Sequence, residues 1–156
     1  MKMGEILNEK TIAKKSFFLN RLRGISYDYN LENNKIKDVN ISFHIHDKKE
    51  DYKVVGTANI DFLKKNKKTL SHGILPGNSF VIGWVRIDDS YRGNNLGRKL
   101  VLFIEEIAKE KRLDQLIATS VMDDAKGFWK KMGYEWSGEA RIWLKKLYPI
   151  WKKTLP

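Results

Sequence analysis

A mixed α/β fold, of the α+β kind with helices on the faces of one sheet, is what this sequence of 156 residues predicts. Three observations carry that expectation. Phe80 to Ile87 (FVIGWVRI) is a short, nearly continuous apolar run rich in β-branched and aromatic residues, as in a central strand buried on both faces. The period then changes: Leu96, Leu100, Phe103, Ile104, Ile107 and Ala108 recur at helical spacing, with Arg98, Lys99, Glu105, Glu106 and Lys109 on the other side. A second short strand, Leu116 to Ala118, is followed by Ala125, Phe128, Trp129 and Met132 at i, i+3, i+4 and i+7, a second helix.

The remaining elements follow in order. Ile6, Ile12, Phe17, Phe18 and Leu22 form a loose apolar face, which predicts a helix around Ile6 to Leu22, although residues 1–35 resist firm assignment. Val39, Ile41, Phe43 and Ile45 alternate with polar residues as in a half-buried strand. After the charged turn Asp47 to Asp51, Tyr52 to Phe62 reads as the returning strand of a hairpin. A basic run at Lys64 to Lys68 and a loop ending in Pro76, Gly77 and Asn78 lead into the apolar run. Asp123 is the expected N-cap of the second helix and Gly133 its C-terminal glycine. Tyr134 to Trp136 and Ala140 to Leu147 are the expected final strands.

Length predicts one domain over residues 1–156. With 42% hydrophobic and 31% charged residues, the composition is globular. The absence of Cys excludes disulfide scaffolds, thiolate metal sites and cysteine nucleophiles. Charges interrupt every apolar run of the first twenty residues, which reads as neither signal peptide nor membrane span, so a cytoplasmic location is expected. Thirty Lys and Arg against 19 Asp and Glu give a net charge of +11, divided almost evenly between the halves of the chain. Such a field favours anionic ligands.

Between the buried strand and the long helix lies Asp88-Asp-Ser-Tyr-Arg-Gly-Asn-Asn-Leu-Gly-Arg98. A strand that ends in a Gly/Asn turn and opens a helix aims unpaired backbone N–H groups, and the positive end of the helix dipole, at one point. That is an anion site. Gly93 and Gly97 allow close backbone approach, Asn94 and Asn95 tolerate the left-handed conformation, and Arg92 and Arg98 can add charge-assisted bonds. No Lys or hydroxyl follows Gly97, as a P-loop would require, and no acidic residue closes the second strand as in a dinucleotide fingerprint. The plainer reading is a tight strand-to-helix turn with no ligand.

Taken together, Ile87 to Gly97 and Ala125-Lys-Gly-Phe-Trp-Lys-Lys-Met-Gly-Tyr134 resemble the two central motifs of the GNAT superfamily of N-acetyltransferases. The resemblance covers roughly residues 80–147. It implies a central mixed sheet flanked by helices, in which Phe80 to Ile87 and Leu116 to Ala118 splay apart to hold acetyl-CoA. It implies further that Val85, Arg86 and Ile87 offer strand backbone to the pantetheine arm, that Arg92, Gly93, Asn94, Asn95, Leu96, Gly97 and Arg98 wrap the pyrophosphate, and that Ala125 and Phe128 pack beside the pantetheine. The sequence departs from the family pattern in three places. Asn95 stands for the first glycine of the turn, Trp129 for the tyrosine that protonates the leaving thiolate in many members, and Ile117 for a glutamate that serves some members as base.

The expected activity is therefore acetyl transfer from acetyl-CoA to a primary amine by direct attack, with the backbone amide of Ile87 polarising the thioester carbonyl and Asp88 as a candidate base. The acceptor amine is not identified; the positive charge favours one set in anionic surroundings. The alternative is a binding module of the same fold that has lost turnover and holds nucleic acid or an acidic partner. His44 and His46 share one strand face but have only His72 as a further imidazole, so no metal site is expected. Trp84, Trp136, Trp143 and Trp151 read mainly as core. Arg141 to Pro156 holds five basic and no acidic residues, which reads as a solvated edge strand.

Overall fold

In a computed structural model of the chain the described residues are 14–32, 35–36, 40–63, 67–69, 73–75, 77–119, 123–141 and 147–156. Eight strands follow one another across a single sheet in the order β1 (Lys14–Asn20), β2 (Ile25–Glu32), β4 (Asn40–Asp47), β5 (Lys53–Leu63), β8 (Ser79–Ile87), β9 (Gln115–Ala118), β11 (Leu147–Thr154) and β10 (Glu135–Arg141). A two-residue β3 (Lys35–Ile36) pairs with β2, and β6 (Lys67–Thr69) pairs with β7 (Gly73–Leu75) in a separate hairpin. Helix α1 (Leu96–Glu110) joins β8 to β9, and α2 (Lys126–Lys131) follows β9. Pairing is antiparallel throughout the large sheet except between β8 and β9. A parallel pair needs a long crossover, and α1 supplies it.

The core lies between one face of the sheet and the two helices. Leu100, Val101, Phe103, Ile104, Ile107 and Ala108 of α1 pack with Phe43, Ile60, Phe80, Ile82 and Leu116, all buried, and Trp129 and Met132 extend the same cluster beneath α2. Each such side chain contributes ~1.5–3 kcal/mol of burial. Glu105, expected on the solvent side of α1, is instead buried, and its carboxylate meets Lys153 Nζ at 2.6 Å. The reason lies in β11, which carries Lys153 beneath the helix, so the apolar face of α1 is wider than its periodicity shows.

Several expectations are corrected. The helix predicted over Ile6 to Leu22 is not formed where it is described: Lys14–Asn20 is an edge strand in register with β2, from Lys14 opposite Leu31 to Asn20 opposite Ile25. A tight turn decides this. Gly24, at φ +65°, donates to the Asn20 carbonyl at 2.9 Å, and the chain folds back so that the Phe18 ring stacks on Tyr27 at 5.1 Å. Residues 1–13 lie outside the described residues. The loop expected before Pro76 carries the β6–β7 hairpin. Asp123 is not a simple N-cap but the first residue of a 3-10 turn that runs to Ala125, from which α2 continues. Gly133, at φ +91°, does follow the helix end.

The end of the chain differs most. The last two strands lie at 135–141 and 147–154, and β11 is inserted between β9 and β10 rather than standing at an edge. Trp151 pairs with Ala118 on one side and Trp136 on the other, while Ile150, Trp151 and Leu155 are buried. Trp84 and Trp136, read as core, are 37% and 62% exposed; Trp143 lies outside the described residues.

Candidate active site

The two edges of β8 are used differently. Along β5 it is paired from Ser79 to Ile87, whereas along β9 the ladder covers only Ser79 to Ile82. Thr119 closes that ladder: its N–H and its hydroxyl both donate to the Ile82 carbonyl, at 2.9 and 3.0 Å. Beyond this clamp the strands part, and a cavity of about 720 Å³ opens between the Gly83–Ile87 stretch of β8 and the segment carrying Asp124, Ala125, Phe128 and Trp129. Register shows a further irregularity. Ile60 opposes Ile82 but Asn59 opposes Trp84, so Gly83 is an extra residue and bulges the strand where the slot begins.

At the other end of the slot the chain turns through a short 3-10 segment, Asp89–Tyr91, into α1. The Asp88 N–H is anchored on the Val55 carbonyl at 2.9 Å. Gly93 (φ +85°) and Asn95 (φ 57°) supply the left-handed turn, so the asparagine does what the family's glycine does. The first bond of α1 runs from Lys99 N–H to the Asn95 carbonyl, which leaves the N–H groups of Leu96, Gly97 and Arg98 without helical acceptors. A second cavity of about 690 Å³ lies over this turn and is lined by Arg92, Gly93, Gly97, Arg98, Phe128 and Lys131 among others. The two cavities share Ile87, Arg92, Gly97 and Phe128.

Gly97 is not left-handed; it sits within the first turn of α1. A Cβ there would lie 3.8 Å from the Phe128 ring and 3.9 Å from Ile87, ordinary contact that strains nothing in the protein but projects into the space between them. Arg92 bridges the turn, with Nε donating to the Ile87 carbonyl at 3.3 Å and a terminal nitrogen 3.2 Å from Asp89.

Val85, Arg86, Ile87, Arg92, Gly97, Ala125 and Phe128 are thus gathered around the slot, and Arg92, Gly93, Asn95, Leu96, Gly97 and Arg98 around the turn. Asn94 lines neither cavity; its amide donates to the Tyr91 carbonyl at 3.3 Å and holds the loop shape. Asp88 lines neither cavity and is exposed. Ile87 lies at the turn end of the slot, about 13 Å of strand from the bulge at ~3.3 Å per residue. Residues that sequence reasoning missed are Gly83, Trp84, Thr119 and Asp124 in the slot and Tyr91, Lys131 and Met132 at the turn. Only Gly83 carried a signal, as a glycine interrupting a strand.

Trp129 does not replace the missing acid, and Asp124 is the one carboxylate among the described residues that line the slot. Trp129 is 5% exposed and packed edge-on between Phe128 and Tyr134, with ring centres 5.1 and 4.9 Å away. Tyr134 is buried, and burial first and the nearby Glu105 carboxylate second hold its phenol well above the ordinary value. Tyr91 lines the turn cavity, but its hydroxyl donates to Asp47 at 2.9 Å, and that bond raises the phenol and lowers the carboxyl. Ile117 is fully buried in β9. Both ring nitrogens of His46 are engaged at 2.7 Å, by the Ser26 hydroxyl and the Tyr52 carbonyl. Among the described residues no group of three or more His, Cys, Asp or Glu could hold a metal, and no helix is long and apolar enough to cross a membrane.

The family model of the acetyltransferase (GNAT) family matches residues 11–134. This chain belongs to the GNAT acetyltransferase family. It is accordingly an N-acetyltransferase by family, with its acceptor unassigned. Solved structures share the fold. An acetyltransferase from Bacillus cereus is 24% identical with a TM-score of 0.54, over 74% of this chain and 73% of its own. A proposed acyl-CoA N-acyltransferase from Klebsiella pneumoniae is 19% identical with a TM-score of 0.59, over 81% and 80%. The PaiA N-acetyltransferase from Thermoplasma acidophilum, solved with coenzyme A, is 15% identical with a TM-score of 0.51, over 73% and 60%. A search of curated proteins gives no match. In this chain the strands that part are β8 and β9, and the Gly/Asn turn is the one that opens α1.

Proposed function

We propose that this GNAT protein transfers the acetyl group of acetyl-CoA to a primary amine by direct attack. The observation that carries the reading is the unpaired edge of β8, which runs from the anion-binding turn at Gly97 to the bulge at Gly83 over a length comparable to an extended pantetheine arm. The residues fit that donor: the N–H groups of Leu96 to Arg98 with Arg92 suit a pyrophosphate, the Gly97 cradle would be filled by a Cβ, and Val85, Ala125 and Phe128 offer an apolar wall.

Acetyl-CoA supplies the activated acyl thioester. With the phosphates at the turn, the thioester end of the slot lies toward Gly83 and Trp84, so we place the polarising backbone amide at the bulge rather than at Ile87. The amine nitrogen forms the new bond to the acyl carbon, the carbon–sulfur bond breaks, and the ammonium proton passes to solvent or to the released thiolate. Catalysis comes from positioning and from backbone dipoles aimed at the developing charge.

Calorimetry with acetyl-CoA, followed by a screen of amine acceptors for thiol release, tests this directly. Binding that is lost in Gly97→Val, and thiol release with at least one amine, are the expected results. Acetyl-CoA binding without turnover on any amine would favour the alternative of a binding module that has lost catalysis, the reading that Trp129 and Ile117 support.

A further inference from the structure

Helix α2 has two flanks with different neighbours. Phe128, Lys131 and Met132 face the turn cavity, whereas Lys126 and Lys130, one turn apart on the opposite flank, border a separate cleft of about 540 Å³. The floor and far wall of that cleft are aromatic: Tyr134, Trp136 and Trp151 line it, together with Glu135. Trp136 and Trp151 are cross-strand partners on β10 and β11, so their indoles share one face of the sheet. Trp151 is buried, but Trp136 is 62% exposed, against 40% for Phe18 and 37% for Trp84. The register shift that follows Trp136, with Gly138 at φ +95°, bends the edge strand just beyond it.

We propose that this cleft binds single-stranded nucleic acid, with a base stacked on Trp136 and the adjoining phosphates on Lys126 and Lys130. Exposed indole next to ammonium groups is the pairing that single-strand readers use, because every base has a π-face and every linkage a negative charge. Lys130 offsets the one lining carboxylate, Glu135, which itself lies opposite Lys152 across the strands, and Lys126 adds to the basic flank of the helix. No acidic residue occurs in Lys126–Lys131, and the whole chain carries +11. The volume lies within the ~300–1,000 Å³ of small-ligand clefts, enough for one nucleotide unit. A duplex hides its base faces and has no use for the indole; an acidic peptide would use the lysines alone. The site is separate from the acetyl-donor slot, on the other flank of α2, and does not rest on the acetyl-transfer reading.

The test is fluorescence anisotropy of the full-length protein with a labelled short oligouridine, alongside the same strand annealed to its complement and a polyglutamate competitor. Preferential single-strand binding, quenching of tryptophan emission and a loss of about tenfold in Trp136→Ala, partly restored in Trp136→Phe, are expected. Lys126→Gln with Lys130→Gln should flatten the dependence of log Kd on log salt by about 1.4 units, ~0.7 for each phosphate contact on a single strand. Calorimetry should find acetyl-CoA affinity unchanged in all of these variants, which also shows that they fold. Unchanged oligouridine affinity in Trp136→Ala overturns the proposal, as do equal binding of the duplex or displacement by polyglutamate that is indifferent to Trp136.

Discussion

The two edges of β8 have the same residues behind them and opposite fates. On the β5 side the ladder runs the length of the strand, tolerating a bulge at Gly83; on the β9 side it stops at Ile82, where Thr119 takes up the last carbonyl. The fully paired edge stabilises the sheet and offers nothing to a ligand. Beyond Ile82 no described strand pairs with the open edge, and it borders a cavity instead; a strand edge of that kind is what an extended ligand with amide groups can pair with.

Filling the open side should have the largest effect. Gly97→Val places a branched side chain between Phe128 and Ile87, and acetyl-CoA affinity measured by calorimetry should fall about 30-fold, the equivalent of the ~2 kcal/mol that overpacking costs. Thermal stability should change little, since the Cβ meets the protein only at 3.8 Å or more. Unchanged affinity in the folded variant would remove the turn from the site.

Next in size is Arg92→Ala. It should weaken acetyl-CoA about tenfold, as the loss of a hydrogen bond to a charged group implies, and weaken a pantetheine thioester without phosphates far less. Equal losses for both would mean that Arg92 acts only through its bonds to Ile87 and Asp89.

The clamp itself can be loosened. Thr119→Val keeps the shape but removes the hydroxyl bond to Ile82, and should cost about 1 kcal/mol of stability in denaturant titration. If the clamp sets where the strands part, KM for acetyl-CoA should move with it while kcat for a given amine stays near its original value.

A smaller effect is expected at Trp129. Trp129→Phe should lower kcat/KM by only a few-fold, well under the ~100-fold typical of a lost acid or base. The rising limb of the pH profile should shift with the pKa of the acceptor chosen. A limb that stays fixed across acceptors, and disappears in Asp88→Asn or His44→Gln, would reveal an enzymic base.

The weakest perturbation is Tyr91→Phe, which cuts the tie between the β4–β5 turn on the paired side and the loop leaving the open side. The Asp47 carboxyl is lowered chiefly by the Tyr91 hydroxyl and then by the Lys49 amide. Its contribution to stability is present above the ordinary carboxylate range and is lost as pH falls through its depressed folded value. Without the hydroxyl, Asp47 should titrate at higher pH in NMR, and the acid-side loss of stability that it contributes should be smaller and complete at a higher pH. Affinity for acetyl-CoA should change about twofold or less, since the Tyr91 hydroxyl is committed to Asp47.

The amino-acid sequence by itself determined the functional half: an apolar strand, a Gly/Asn turn that needs left-handed backbone, an amphipathic helix and a second short strand are all local patterns, and each is formed near its expected place. The turn before α1 was legible because Gly93 and Asn95 answer a left-handed backbone requirement that residue type alone reveals. Tertiary structure decided the rest. Whether Lys14–Asn20 pairs as a strand, where β11 enters the sheet, why Glu105 is buried and why Trp136 is not all depend on partners distant in the chain. Apolar alternation shows that a residue has two faces but not which strand will lie beside it. At the point where β8 and β9 part, the Thr119 N–H and hydroxyl meet one carbonyl 37 residues earlier, a contact that exists only once α1 has carried the chain back across the sheet.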